Sequence, residues 1–141
     1  DLRSGGDTEP AEQLGDIVHA FGLVSVQIDV EGELPSDARV AAAFLQIIRE
    51  ASTNATKHAQ AHQVHVRLRQ ETSEDGTVAR MAVSNDGAPA PVSYREGTGI
   101  PGMRHVAQNL GGSLEVHTAP PFTLTVSIPL ASNATVQRRS S

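Results

Sequence analysis

The sequence contains no cysteine and no tryptophan, and its 141 residues include one tyrosine and three phenylalanines. The missing cysteines exclude a disulfide framework, a thiol nucleophile and cysteine-ligated zinc or iron–sulfur sites. With 3% aromatic residues, the core has to be built from Val, Ile, Leu and Ala. No apolar run approaches the length of a membrane span, and no signal-peptide pattern opens the chain. Positive charge is also short: 11 Lys and Arg against 16 Asp and Glu give a net charge of −5. That balance disfavours nucleic acid as a partner, because the phosphate backbone demands a positive surface. What remains, 38% apolar residues, suits one domain with one core. The chain opens on Asp1 rather than methionine and is expected to be a piece of a longer protein or a processed product.

The periodicities alternate between helical and extended. Leu14, Ile17, Val18 and Phe21 form one stripe of a first helix, with Thr8 as its N-cap and Gly22 as its stop. Val24, Val26, Ile28 and Val30 then alternate with polar residues, which predicts a half-buried strand. Ser36 and Asp37 open the longest helix, expected to run to about Ala59, with Val40, Phe44, Ile47, Ile48, Ala51 and Ala55 as its apolar side. Two strands follow, around Val64–Leu68 and Ala79–Val83, joined at Asp75-Gly76 by a loop expected to exceed two residues. Residues 87–99 are rich in Gly, Pro and Ala and aperiodic, a loop long enough to suggest function. A third helix is expected from Ile100 to Leu110, ended by Gly111-Gly112. Short strands around Leu114–Val116 and Phe122–Ile128 complete the order α, β, α, β, β, α, β, β. Strands with one apolar face need one covering layer. The expected fold class is therefore α+β: a two-layer α/β sandwich of a mixed five-stranded sheet with three helices on one face. Residues 131–141 are polar and expected to be a disordered tail.

Three clusters carry chemistry. On the long helix Glu50, Asn54 and Lys57 or His58 stand at i, i+4 and i+7 or i+8, on one face. A generic Glu/Lys helix face is merely solvated, but asparagine is a mediocre helix former that needs a reason to sit there. An amide oxygen beside a carboxylate suits a hard cation such as Mg²⁺, and Lys57 suits a phosphate. Asn85 shares the phase of Met81 and Val83, so it points to the apolar side and must find a partner there; Asn85-Asp86-Gly87 is otherwise good turn chemistry. Gly97-Thr98-Gly99 runs into the third helix, where backbone N–H groups and the helix dipole favour an anion. Arg104 in that helix's first turn offers a phosphate contact or a solvated charge.

In this order the three clusters resemble the boxes of the ATP-binding catalytic domain of bacterial sensor histidine kinases, of the GHKL (Bergerat-fold) superfamily. Residues 49–68, REASTNATKHAQAHQVHVRL, are similar to the N box; 83–87, VSNDG, to the G1 box; 97–116, GTGIPGMRHVAQNLGGSLEV, to the G2 box; and 122–130, FTLTVSIPL, to the last strand. The likeness covers nearly all of residues 8–130, which the resemblance makes the ATP-binding domain. Residues 1–7 are expected to be disordered or a linker from an upstream dimerisation domain. The Gly-x-Gly-Ile-x-Gly-Met-Arg form is nearest to kinases that partner response regulators of the NarL/FixJ type.

The resemblance implies ATP and Mg²⁺ as cofactors. It implies that Asn54 ligates the metal, that Lys57 and His58 lie near the phosphates, and that Glu50 corresponds to the glutamate that orients a water in ATP-hydrolysing relatives. It implies nucleotide contacts at Asn85, Asp86, Gly87, Gly97, Thr98, Gly99, Ile100, Gly102 and Met103, with residues 88–98 as the ATP lid. Three positions depart from the pattern: Asn85 stands where the family usually has aspartate, Pro89 where it has a second glycine, and Pro121-Phe122 where many relatives have Gly-Thr.

The implied activity is transfer of the ATP γ-phosphate to a histidine. None of His19, His58, His62, His65, His105 and His117 resembles a phosphoacceptor box. The acceptor is therefore expected on an upstream dimerisation domain, with a homodimer only in the full-length parent, a cytoplasmic location for this domain, and a parent that is membrane-anchored, as many such kinases are. Two alternatives share the fold: a serine kinase of the anti-sigma-factor type, against which the Gly-Met-Arg and Leu-Gly-Gly pattern at 102–112 argues, and an interaction module that has lost ATP binding.

Overall fold

The computed structural model describes residues 9–87, 99–119 and 121–130, without the side chains of His58 and Ala59. The elements are α1 (Pro10–Gly22), β1 (Gln27–Glu31), α2 (Ala38–Asn54), a π-helical turn (Ala55–Ala59), β2 (Gln63–Ser73), β3 (Gly76–Asn85), α3 (Ile100–Asn109), β4 (Ser113–His117) and β5 (Thr123–Leu130). The sheet order is β1-β2-β3-β5-β4, with β1 and β2 parallel and the other neighbours antiparallel. A parallel pair needs a crossover, and α2 supplies it. The expected mixed five-stranded sheet and its three covering helices are both present. The residues proposed as linker (1–7) and tail (131–141) lie outside the described residues; the N-cap of α1 is Glu9, not the expected Thr8, because Pro10 takes the first helical position.

The core forms where the helix stripes meet the inward phase of the strands. Ile28, Val64, Val66, Leu68, Ala79, Met81, Val83, Leu124, Val126 and Ile128 pack from the sheet against Val40, Phe44, Ile47, Ile48 and Ala51 of α2 and against Met103 and Ala107 of α3. Phe44, Ile47 and Ile48 are wholly buried. Asp37 caps α2: its carboxylate accepts from the N–H groups of Arg39 (2.9 Å) and Val40 (3.2 Å). The outward phase is charged and paired across strands, as in Arg80–Glu71 (2.7 Å) and Arg67–Glu31 (3.6 Å).

Three further local expectations are corrected. The first strand starts at Gln27, not Val24. After Gly22 the chain makes a tight turn, with Ser25 left-handed (φ 67°) and Val26 N–H bonded to the Phe21 carbonyl, so Leu23 and Val24 are exposed. The β2–β3 loop has two residues, Glu74 and Asp75, because Ser73 pairs with Gly76 (φ 122°). The long helix is α-helical only to Asn54 and continues as the π-helical turn. Hydroxyls of Thr53 and Thr56 bond back to the carbonyls of Arg49 (2.9 Å) and Ser52 (2.8 Å), contacts that bend helices.

Ser52 is wholly buried on α2, and its hydroxyl has no partner among the described residues. An unmade buried hydrogen bond costs about 1–3 kcal/mol, so Ser52→Ala is expected to leave stability unchanged or raise it by ~1 kcal/mol. Thermal unfolding checks this; a fall of several degrees would show that the hydroxyl is satisfied in solution.

Candidate nucleotide site

Asn54 closes the last α-helical turn of α2 on its inner side and is 3% exposed. Its Nδ2 has no hydrogen-bond partner among the described residues. Glu50, one turn earlier, is half-buried. The N-cap of α3, Gly99, lies directly against both. A Cβ placed on Gly99 would overlap the Glu50 carboxylate, 3.0 Å from its Cδ, and would stand 3.1 Å from Asn54 Nδ2. Gly99 is also left-handed (φ 102°), a conformation that strains side-chain-bearing residues. The structure thus brings together Glu50 and Asn54 from one motif and Gly99 from another, 45 residues later.

At the start of α3 no side chain caps the helix. Met103 N–H bonds to the Gly99 carbonyl (2.8 Å), and Pro101 has no N–H. Among the described residues, the first-turn donors left for an anion are those of Ile100 and Gly102. The Ile100 and Met103 side chains are in the core, so Ile100 can serve a ligand only through its backbone. Arg104 turns away from this end: its Nε donates to the Leu114 carbonyl (3.3 Å) and ties α3 to β4.

Asn85 ends β3 and is 6% exposed, on the helix-facing side as its phase requires. Its Oδ1 accepts from Gly87 N–H (2.9 Å), which leaves Nδ2 as its other polar group. An N–H can only donate, so this bond fixes which end of the amide is oxygen. Phe122, at one departure from the family pattern, is a buried core residue whose carbonyl accepts from Asn85 N–H (3.2 Å); Pro121 is exposed.

Asp86 does something its motif did not announce. It is exposed, and its Oδ1 accepts from the N–H groups of His62 (2.9 Å) and Gln63 (3.0 Å) at the start of β2. Desolvation pushes its carboxyl pKa up, but backbone N–H donors from Gln63, His62 and Asp86 itself, with the nearby His62 charge, outweigh it and hold the pKa below the ordinary value. A lowered folded-state pKa means that this contribution to stability is present above the unfolded carboxylate pKa and is lost as pH falls through the folded one.

Lys57 is exposed on the π-helical turn, three residues past Asn54. The His58 side chain, Gly97, Thr98, Pro89 and the proposed lid (88–98) lie outside the described residues. Gly102 is exposed on the first turn of α3, and Gly87 follows Asp86 as the donor to Asn85. A separate cavity of about 490 Å³ includes Glu31, Arg67, Arg69, Arg80 and Thr125 and contains none of these residues. Its arginines are paired with Glu31 and Glu71.

The orphaned Asn54 amide tests whether a metal fits. Rotating the amide by half a turn exchanges nitrogen and oxygen, which turns the unpartnered buried position into an oxygen ligand beside the Glu50 carboxylate. Oxygen donors of this kind suit Mg²⁺. The first-turn N–H groups of Ile100 and Gly102, at the positive end of α3, suit a phosphate. The residues present fit a metal-bound nucleotide.

Residues 40–132 match the family described as histidine kinase-, DNA gyrase B-, and HSP90-like ATPase. No curated protein matches the chain. Among solved structures, the Erythrobacter litoralis EL346 blue-light activated histidine kinase is 26% identical with a TM-score of 0.62, over 86% of this chain and 42% of that one. The histidine kinase domain of the same protein is matched over 59% of its length, with the same identity and TM-score. The ATP binding domain of PrrB from Mycobacterium tuberculosis shares the fold at 17% identity, with a TM-score of 0.63 over 84% of this chain and 91% of that one. The chain therefore spans about half the length of the first relatives it matches.

Proposed function

We infer that this chain, which belongs to the histidine kinase-, DNA gyrase B- and HSP90-like ATPases, is the ATP-binding kinase domain of a two-component sensor histidine kinase. In this reading it delivers the ATP γ-phosphate to a histidine on a dimerisation domain outside the chain. The observation that carries the nucleotide part is Gly99 packed on Glu50 and Asn54. The likeness to the Erythrobacter litoralis histidine kinase supports the kinase part. A response regulator of the NarL/FixJ type as partner, and a cytoplasmic place for the domain, complete the proposal. No described helix is long and apolar enough to cross a membrane.

Phosphoryl transfer depends on positioning and on stabilising charge. Asn54 would hold Mg²⁺, which when bound neutralises charge on the phosphate oxygens. The Ile100 and Gly102 N–H groups, at the positive end of α3, would bind phosphate oxygen, and Lys57 would reach the same charge from the π-helical turn. The Asn54 amide is already buried, so turning its oxygen toward the metal is the one side-chain change this residue needs. Glu50 would orient the polar groups around it.

Asn85 sets one testable feature. Its oxygen is engaged by Gly87 N–H, and its other polar group is a donor. An aspartate there keeps that bond with one oxygen and offers the second to the exocyclic amine of adenine. Asn85→Asp is expected to tighten ATP about 3–10-fold, the scale of one net hydrogen bond. Calorimetry checks it; weaker binding would mean that Asn85 serves another contact.

The reading as a whole is tested with γ-labelled ATP and Mg²⁺. This chain alone is expected to bind ATP without becoming labelled, and the parent protein to acquire acid-labile label on a histidine. Label on a serine of a partner protein would favour the anti-sigma-factor type instead. Absence of nucleotide binding would favour an interaction module.

A further inference from the structure

We propose that Asp86 is a positioning residue for the nucleotide site: its carboxylate ties the start of β2, into which the π-helical turn leads, to the end of β3, and so fixes Lys57 relative to Asn54 and Asn85. The proposal rests on the ATP-binding reading above and assigns Asp86 a part other than direct contact.

The geometry is specific. Between Asn54 and the first residue of β2 the chain makes the π-helical turn, then a left-handed residue, Gln60 (φ 54°), then buried Ala61, whose N–H bonds to the Ala55 carbonyl (3.1 Å). A π-helical turn is rare and poorly self-sustaining, and such turns collect at functional sites. This one is held from outside. Asp86 Oδ1 receives both His62 and Gln63 N–H groups, and Asp86 N–H returns a bond to the Gln63 carbonyl (3.2 Å). The His62 carbonyl is held in turn by Gln27 N–H of β1 (2.9 Å). One side chain thus joins the segment after Asn54 to the residue after Asn85. With Oδ1 engaged by two backbone donors, the carboxylate already has a structural task at this position.

Removing the clasp leaves two exposed N–H groups that water can satisfy, so the fold survives. The backbone bonds of Gln63, His62 and Ala61 remain, but the turn loses its one side-chain anchor among the described bonds and can shift toward ordinary α-helix, which changes where Lys57 points relative to Asn54. The loss should appear in nucleotide affinity rather than in stability.

The experiment compares Asp86→Ala and Asp86→Asn with the unaltered chain, using Mg·ATP and metal-free ATP in calorimetry, with thermal unfolding of each ligand-free protein. Asparagine keeps the oxygen acceptor and loses the charge. Asp86→Ala is expected to weaken Mg·ATP about tenfold while unfolding within a few degrees of the parent; Asp86→Asn is expected to recover most of that affinity. Equal affinity in all three proteins would overturn the proposal, and so would a fall in stability with no change in affinity. Equal losses in alanine and asparagine variants would assign the effect to the charge and also overturn it. Failure of the unaltered chain to bind any nucleotide would instead remove the ATP-binding reading, and this proposal with it.

Discussion

Asn54→Ala is expected to abolish magnesium-dependent nucleotide binding while leaving the domain folded. The two effects separate because Asn54 contributes little to the fold. It is buried, but its Nδ2 bonds to nothing among the described residues, so alanine removes an unsatisfied group along with a few packing atoms. Those changes oppose each other and should leave stability within about 1 kcal/mol. Affinity has no such compensation. Losing the neutral oxygen ligand that Asn54 offers should weaken Mg·ATP on the order of 100-fold, since losing even a residue that only orients a metal ligand costs about 10–100-fold. In the parent protein, the same change is expected to end autophosphorylation. Calorimetry with and without Mg²⁺, beside thermal unfolding, checks both halves. An Asn54→Ala protein that binds Mg·ATP normally would remove the metal assignment.

Gly99→Ala is expected to damage affinity and stability together. Its Cβ would enter the space of the Glu50 carboxylate and press on Asn54 Nδ2. The Glu50 carboxylate sits at the end of a flexible chain and can swing aside, so the clash alone is cheap. The backbone is not: φ of 102° strains any residue with a side chain, at about 1–2 kcal/mol. A domain of this size should lose several degrees in melting temperature per kcal/mol. The swing of Glu50 also disperses the pair of side chains that make the site, so nucleotide binding should fall below detection. A Gly99→Ala protein with intact affinity would show that the Gly99–Glu50–Asn54 contact is packing without a ligand role. Asn54→Ala and Gly99→Ala are thus distinguishable, one altering affinity alone and the other altering both.

Much of this was legible in the sequence, and the reasons are local. The strand phases of Val64–Leu68, Ala79–Val83 and Leu124–Ile128 alternate cleanly because one face of the sheet is buried and the other is wet. That same phase placed Asn85 inside. The Asp37 cap was visible because an N-cap is a short-range device. The failures were non-local or lacked their usual marker. Val24 continued a period of two, but closure of the α1 turn onto Phe21 decided its place. Nothing in the apolar stripe marks Asn54 as the last α-helical residue, because Ala55 continues the stripe, and the left-handed residue that ends the π-helical turn is Gln60 rather than glycine. The contact of Gly99 with Glu50 and Asn54 spans two motifs, and only their resemblance to known boxes pointed to it. Asp86 looked like a ligand by its place in the motif. Its donors lie more than twenty residues earlier, in a strand start that no periodicity connects to it.

The most direct test of the central claim is the thermal unfolding of this chain with ATP and with ADP, each with and without Mg²⁺. A ligand at about a hundred times its dissociation constant adds roughly 2.7 kcal/mol, several degrees for a domain of this size. The site of Glu50, Asn54 and Gly99 predicts a shift of that order that needs the adenine nucleotide and grows when Mg²⁺ is present. A flat transition up to millimolar nucleotide, with and without the metal, would contradict it.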